Sequence, residues 1–284
     1  MPNSMEEISD QVKRQMNQPQ IHETWEKAYF SQENDRFFEL AYDEFVGRIS
    51  HPDGSKALDI GCGICPNSIR LARRGYVVSA ADYSEPVLRR ARENVVQNEL
   101  ADRITVSRED ILNLSFPSDH FDLTLCWGVL MHIPDAQRAI GELVRVTKPG
   151  GSLVIEEINQ NSPEARLMRL FWQVIKRKKI TTTKMPAGYE HTSIFAGETL
   201  FWRHANPRWL VDQFASHSCT LVKRSCSLFS DLTMYMPVKF LKSVIHAWNR
   251  FWLRRVNVPQ PAYHNIFIFR KNSDQAERTS DGKI

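Results

Sequence analysis

The chain has 284 residues, enough to bury a substantial core, and its hydrophobic and charged fractions of 42% and 25% are those of a soluble globular protein. A net charge of +4 is too small to argue for nucleic acid, and an odd count of five cysteines argues against a disulfide framework and for a reducing, cytoplasmic setting. No apolar run approaches the roughly 20 residues needed to span a bilayer, and the polar start Met1–Asp10 does not read as a secretory leader.

Residues 1–20 are rich in Gln and Asn and are expected to be loose. From Ile21 to Ile49 the residues Trp25, Ala28, Tyr29, Phe37, Leu40, Ala41, Phe45 and Ile49 recur at helical spacing, with an interruption near Ser31–Asp35. That pattern predicts two helices leading into the core. His51-Pro52-Asp53-Gly54 predicts a turn, after which Lys56–Ile60 reads as a buried strand ending against Gly61 and Gly63. Pro66 suits the first turn of a helix running to about Arg74, and Gly75 suits its end. Strand, sharp glycine turn and helix make the nucleotide-binding corner of a doubly wound sheet. Proline at 66 stands where a dinucleotide fingerprint would carry its third glycine. Cys62 and Cys65 form a C-x-x-C, but no second Cys or His pair completes a metal site, so no metal is expected and the glycine turn accounts for them.

A second strand, Tyr76–Ala81, ends at Asp82, about 20 residues past the turn, where an acid accepts hydrogen bonds from ribose hydroxyls. Ser84 and Pro86 start a helix through Gln97. Strand Arg103–Arg108 leads into Glu109-Asp110-Ile111, and strand Leu123–Trp127 leads into Gly128-Val129-Leu130-Met131-His132-Ile133-Pro134-Asp135. Helix Ala136–Thr147, the turn Lys148-Pro149-Gly150-Gly151 and strand Ser152–Glu156 follow. The alternation predicts an α/β fold with a doubly wound, mostly parallel sheet. Farther on, the pattern predicts a helix over Glu164–Lys179 ending in a basic run, a loop over Thr181–Ala196 and a capped helix near Asn206–Phe214. A strand near Thr220–Cys226, a two-sided helix over 237–255 and a closing strand Ala262–Arg270 complete the reading. The tail from Lys271 is polar and is expected to be disordered.

Asp59-x-Gly61-x-Gly63 resembles the first motif of the class I S-adenosylmethionine-dependent methyltransferases of small-molecule type, with Cys65 where the final glycine is usual. Asp82-Tyr83-Ser84-Glu85-Pro86-Val87-Leu88, the block Phe121-Asp122-Leu123 through Asp135, and Lys148-Pro149-Gly150-Gly151 resemble later segments of that family in the same order. The resemblance implies the Rossmann-like methyltransferase fold with N-terminal helices and a helical lid on the acceptor side. It divides the chain into a helical segment 1–50, a methyltransferase domain 51–271 with a variable acceptor region about 157–260, and a tail 272–284. It implies S-adenosyl-L-methionine as methyl donor, contacted by Asp59, Gly61, Gly63, Asp82, Tyr83 and Trp127, with Asp110 and Ile111 at the adenine.

His132, just past the fourth strand, is the first candidate for a general base, ahead of Glu157, His191 and His204. The acceptor implied is a small or hydrophobic, lipid-linked molecule. A nucleic-acid base is disfavoured, because Cys126-Trp127-Gly128-Val129 stands where base-modifying relatives carry Asp/Asn-Pro-Pro-aromatic. The basic, aromatic stretches 166–179 and 238–255 read either as interfacial helices meeting a membrane peripherally or as packing and dimer surfaces, and the oligomeric state stays open. An NAD-dependent oxidoreductase explains Asp82 but not Pro66, Asp110 or the Lys-Pro-Gly-Gly turn. A non-catalytic S-adenosylmethionine-binding module is the third reading.

Overall fold

The computed structural model describes residues 5–29, 32–49, 51–174, 180–195, 197–234 and 238–273. Seven strands form the main sheet: β1 (Lys56–Ile60), β2 (Val77–Asp82), β3 (Ile104–Arg108), β4 (Phe121–Trp127), β5 (Thr147–Ile158), β9 (Cys219–Cys226) and β10 (His264–Lys271), in the order β3-β2-β1-β4-β5-β10-β9. The first five pair in parallel, whereas β10 runs antiparallel to both β5 and β9. The order reverses between β1 and β4, and in open α/β sheets that switch point opens a crevice at the carboxyl ends of the strands. Helices α4 (Pro66–Ala72), α5 (Glu85–Gln97), α6 (Ala136–Val146) and α8 (Pro207–Ser216) cover the two faces. The expected doubly wound fold is therefore present. At the opposite edge, Asp122 ties three strand starts together by accepting from the Lys56 backbone N–H at 2.9 Å and from Lys148 Nζ at 2.7 Å.

Two corrections concern the N-terminal residues and the segment after α7 (Pro163–Val174). Residues 5–16 are not loose but form helix α1 (Met5–Met16), followed by α2 (Pro19–Tyr29) and α3 (Gln32–Val46). Ile8, Val12 and Met16 recur every fourth residue, a stripe diluted by the Gln-rich surroundings, and Val12 and Gln15 are buried. The Thr181–Ala196 loop contains β6 (Thr181–Met185) and β7 (Gly188–Phe195), which continue into β8 (Glu198–Ala205) as an antiparallel meander. Their β-branched and aromatic residues favour strands, but interspersed Lys, Glu and Ser on partly exposed faces hide the alternation. The region after β5 thus contains a small sheet as well as helices α7 and α9 (Lys239–Phe251), the latter packed against α3. The expected two-sided helix is present as α9, which is continued by a π-helical stretch Trp252–Val256 and turns most of its apolar side outward. The side chains of Trp25, Tyr29 and Lys239, the run Lys176–Lys179 and the tail from residue 274 lie outside the described residues.

Helix α3 is fixed to the sheet by both charge and aromatic packing. Arg70 on α4, almost wholly buried, pairs with Asp35 and Glu39 at 2.5 and 2.9 Å, and Arg74 pairs with Glu39 and Asp43 at 2.8 Å each. Phe38, Tyr42 and Phe45 then surround Trp127 at the end of β4, with ring centroids 5.5–6.1 Å away. Trimming Phe45, which is 1% exposed, to alanine is expected to cost about 3–5 kcal/mol of unfolding free energy. Chemical denaturation of Phe45→Ala measures it, and a loss below about 1 kcal/mol would contradict this account of how α3 is held.

Candidate active site

The turn after β1 is shaped by close approach. Gly61 takes φ +72°, and a Cβ there would lie 2.3 Å from Val129 Cγ2 on the loop after β4. Gly63, at φ +56°, has nothing within 4 Å of its Cβ position and lines the cavity. The turn is pinned from β2, because Ala81 O accepts from the N–H groups of Gly61 and Cys62 at 2.7 and 3.0 Å. Cys65 enters α4 at φ +67°, and Cys62 and Cys65 are buried free thiols. Among the described residues no group of three or more His, Cys, Asp or Glu is placed to hold a metal ion.

Asp59 does not line the cavity. It lies under the turn, 1% exposed, and accepts a 2.6 Å hydrogen bond from Ser68 Oγ, so it fixes α4 against β1. Burial pushes its carboxyl up to about 6. Asp82 does line the cavity, and each oxygen accepts a backbone N–H: Oδ2 from Gly63 at 3.1 Å, Oδ1 from Ser84 at 2.9 Å. Each oxygen keeps further acceptor capacity toward the cavity.

Beyond Asp82 the cavity wall is Tyr83, Asp110, Ile111 and Leu112. Arg108 stacks over the Tyr83 ring at 4.9 Å. Asp110 Oδ1 accepts from the Leu112 N–H at 3.0 Å, and its Oδ2 pairs with Lys13 Nζ at 2.6 Å. Helix α1 therefore roofs this end, with Lys13 also 5.6 Å from the Tyr83 ring centroid.

The loop after β4 carries His132 into the cavity wall. Its Nδ1 bonds Phe201 O of β8 at 2.9 Å. A carbonyl only accepts, so Nδ1 carries the proton and Nε2 the lone pair. Burial holds this imidazole below its ordinary pKa. Arg203 clamps the loop to β8 by donating to the carbonyls of Leu130, Ile133 and Pro134 at 2.9–3.3 Å while pairing with Glu190 at 2.8 Å. The other sequence candidates lie outside the lining: His191 and His204 pack behind Trp172 and Trp202, and burial depresses both imidazoles, that of His191 to about 3.

Glu156, His264 and Asp231 form a buried cluster on the cavity wall that sequence reasoning did not find. His264 Nδ1 is 2.7 Å from Glu156 Oε1, and Nε2 is 3.8 Å from Asp231 Oδ2. Burial alone would lower this imidazole, but the Glu156 charge and the contact with Asp231 outweigh it and raise it to about 10. His264 is therefore a cation held between two carboxylates. The one signal in the sequence was the pair Glu156-Glu157 inside the apolar run Leu153–Ile158. Glu157 is turned away from the cavity and accepts from the Met131 N–H at 3.0 Å, and burial together with the Glu156 charge pushes it up to about 8.

The whole cavity has a volume of about 900 Å³, near the upper end of the range for ligand sites, roughly 300–1,000 Å³. The wall from Asp82 to Leu112 at the ends of β2 and β3 occupies one end. The other end is lined by Trp172, Trp202, Tyr263, Ile158, Ile194 and Leu200, with His132 and the Glu156–His264–Asp231 cluster.

Residues 58–155 match the family described as "Methyltransferase domain". A demethylmenaquinone methyltransferase of Lactiplantibacillus plantarum is 33% identical over 132 residues, covering 45% of this chain and 54% of the relative. A ubiquinone biosynthesis O-methyltransferase of Coxiella burnetii is 36% identical over 108 residues, covering 38% and 45%. The chain thus spans about half the length of these curated relatives. A solved S-adenosylmethionine-dependent methyltransferase structure from Methanosarcina mazei superposes with a TM-score of 0.56 at 21% identity, covering 81% of this chain and 98% of that one. The fold is accordingly that of the class I methyltransferases, and the central third of the chain matches a methyltransferase domain by sequence.

Glu157 makes stability depend on pH. Its folded value of about 8 exceeds the ordinary 4.5, so the native state keeps a proton that the unfolded chain gives up. The stabilisation is complete below about pH 4.5 and is lost as pH rises through about 8. Thermal unfolding of Glu157→Gln, which keeps an acceptor for the Met131 N–H, is expected to fall less than wild type between these limits. An unchanged slope would contradict the assignment.

Proposed function

We propose that the chain is an enzyme transferring a methyl group from S-adenosyl-L-methionine to a small apolar acceptor. The observation that carries this reading is the Gly61–Gly63 turn and the Asp82 carboxylate, meeting at the sheet's switch point on one large cavity. Its residues fit the donor. Gly63 leaves room for a ligand against the backbone, Asp82 and Tyr83 suit the ribose, and Asp110 and Ile111 suit the adenine. Trp127 and Gly128 suit the amino-acid end. Gly61 and Asp59 act by shaping the turn. When bound, the donor supplies an electrophilic methyl on a sulfonium, so alignment and exclusion of water are what the protein must add. Helices α1 and α2 and strands β7 and β8 contribute to the lining that excludes water.

At the acceptor end the two imidazoles are pushed in opposite directions, one neutral and one charged, which divides their roles. A hydroxyl acceptor would give its proton to Nε2 of His132. His264, kept protonated by Glu156, would stabilise negative charge developing on the acceptor's oxygen by its own positive charge. Two relatives are named for demethylmenaquinone and ubiquinone biosynthesis, and an aromatic acceptor of that quinone type suits walls made by Trp172, Trp202 and Tyr263. Such an acceptor resides in lipid, so we read the chain as a cytoplasmic protein that meets a membrane peripherally. Among the described residues no helix is long and apolar enough to cross one.

Calorimetric titration with S-adenosylhomocysteine tests the donor site. Wild type is expected to bind it in preference to NAD, and Asp82→Ala and Gly63→Ala are each expected to weaken it on the order of tenfold or more, about 1.4 kcal/mol. His132→Ala and His264→Asn should leave this affinity within about twofold, since both act on the acceptor. Preference for NAD would overturn the reading.

A further inference from the structure

Helix α9 is inside out. Its inward face carries Asn249, fully buried, which accepts from the Ser230 N–H at 3.0 Å and donates to Ser230 O at 2.9 Å, together with buried His246. Its outward face carries Phe240, Leu241, Val244, Trp248 and Phe251, which are 43–73% exposed. Trp248 and Phe251 also join Trp252 and Phe229 in one aromatic cluster with centroids 4.5–5.9 Å apart. A water-facing helix normally has the reverse pattern. On α7 the neighbours Leu167, Leu170 and Phe171 are 55–64% exposed.

Charge decides what covers this face. No Asp or Glu occurs from Leu232 to Ser273, while Lys239, Lys242, Arg250, Arg254 and Arg255 lie on or just after α9. Likewise no acid occurs from Ala165 to Tyr189, a stretch containing Arg166, Arg169 and four consecutive basic residues. A two-fold contact with a second copy would bring the same cations against each other with no carboxylate on the helix to meet them. Aromatic side chains flanked by cations fit instead the interface of an anionic bilayer.

We infer that α9, with α7 beside it, docks this chain on an anionic lipid surface. Docking gives the cavity a reason to open there. The segment Ser230-Asp231 is clamped between the two helices, through Asn249 on one side and on the other through Glu164 Oε1, which accepts from the Asp231 N–H at 3.0 Å. Asp231 and Leu228 line the cavity, as does Trp172 of α7. The acceptor end is therefore built from residues that the lipid-facing helices hold. This placement rests on the reading that the acceptor is hydrophobic, but the docking itself does not depend on catalysis.

The test is flotation of the full chain with vesicles of phosphatidylcholine alone or mixed with phosphatidylglycerol, at low and high salt. Binding is expected to anionic vesicles, weakened as salt shortens the Debye length to about 3 Å at 1 M. Phe240→Ser with Val244→Ser, both exposed side chains, is expected to lower the partition on the order of tenfold or more. Arg254→Glu with Arg255→Glu, both exposed, should do the same on anionic vesicles. Val96→Ser, changing a 64% exposed residue of α5, should have no effect, and circular dichroism of each variant checks its fold. Failure of wild type to float at any composition overturns the inference, as does floating that the α9 substitutions leave unchanged. Self-association that Val244→Ser abolishes, without vesicle binding, assigns the face to a second copy and also overturns it. S-adenosylhomocysteine affinity measured without vesicles reports separately on the methyltransferase reading.

Discussion

The structure depends on how closely two loops approach at the point where the strand order reverses. Gly61 after β1 and Val129 after β4 are so close that a single added carbon would sit 2.3 Å from a methyl group. That approach sets the path of the turn, and the turn sets everything around it. It carries the Gly63 N–H to Asp82, leads into α4 so that Ser68 meets Asp59, and leaves the cavity wall at Gly63 bare of side chain. Because interiors pack densely, the gap cannot be widened without moving β4 and the loop that bears His132. Gly61→Ala is therefore a lesion of the fold, whereas Gly63→Ala is a lesion of the site.

The cavity that results has two ends with different physics. Toward β2 and β3 it presents two engaged carboxylates: backbone N–H groups orient Asp82 without neutralising it, while Asp110 is ion-paired with Lys13. Toward β5 and β10 it presents one imidazole whose protonation burial disfavours and another whose protonation Glu156 and Asp231 favour. An isolated buried imidazolium would be costly, and only the flanking carboxylates make it stable there. The antiparallel entry of β10 beside β5 makes this possible, since it brings the first residue of the last strand to the carboxyl edge of the sheet, with His264 in register with Ile158.

Local signals revealed much of this. The β1 boundaries, the α5 boundaries and the acid at the end of β2 follow from apolar runs, glycines and caps that act within a few residues. Lys56–Ile60 and Glu85–Gln97 were legible for that reason, and so were Gly61, Gly63 and Asp82. What stayed hidden depends on contacts distant in sequence. Lys13 meets Asp110 across 97 residues, and His264 meets Glu156 only once β10 has paired with β5. Asp59 looked like a ligand contact because its neighbours line the cavity, yet strand alternation turns it under the turn toward Ser68. The direction in which α9 faces was equally hidden, because periodicity shows that a helix has two sides without showing which one the protein buries. The meander β6–β7–β8 was missed because its strands are partly exposed and carry polar residues among the apolar ones.

The central claim is that this cavity brings a methyl donor to an apolar acceptor. The most direct test incubates the chain with methyl-labelled S-adenosylmethionine and a cell extract containing membranes, then separates organic, aqueous and protein fractions. The account predicts label in the organic fraction, falling sharply with His132→Ala. Label confined to the aqueous or protein fraction, or no transfer although the donor binds, would contradict it.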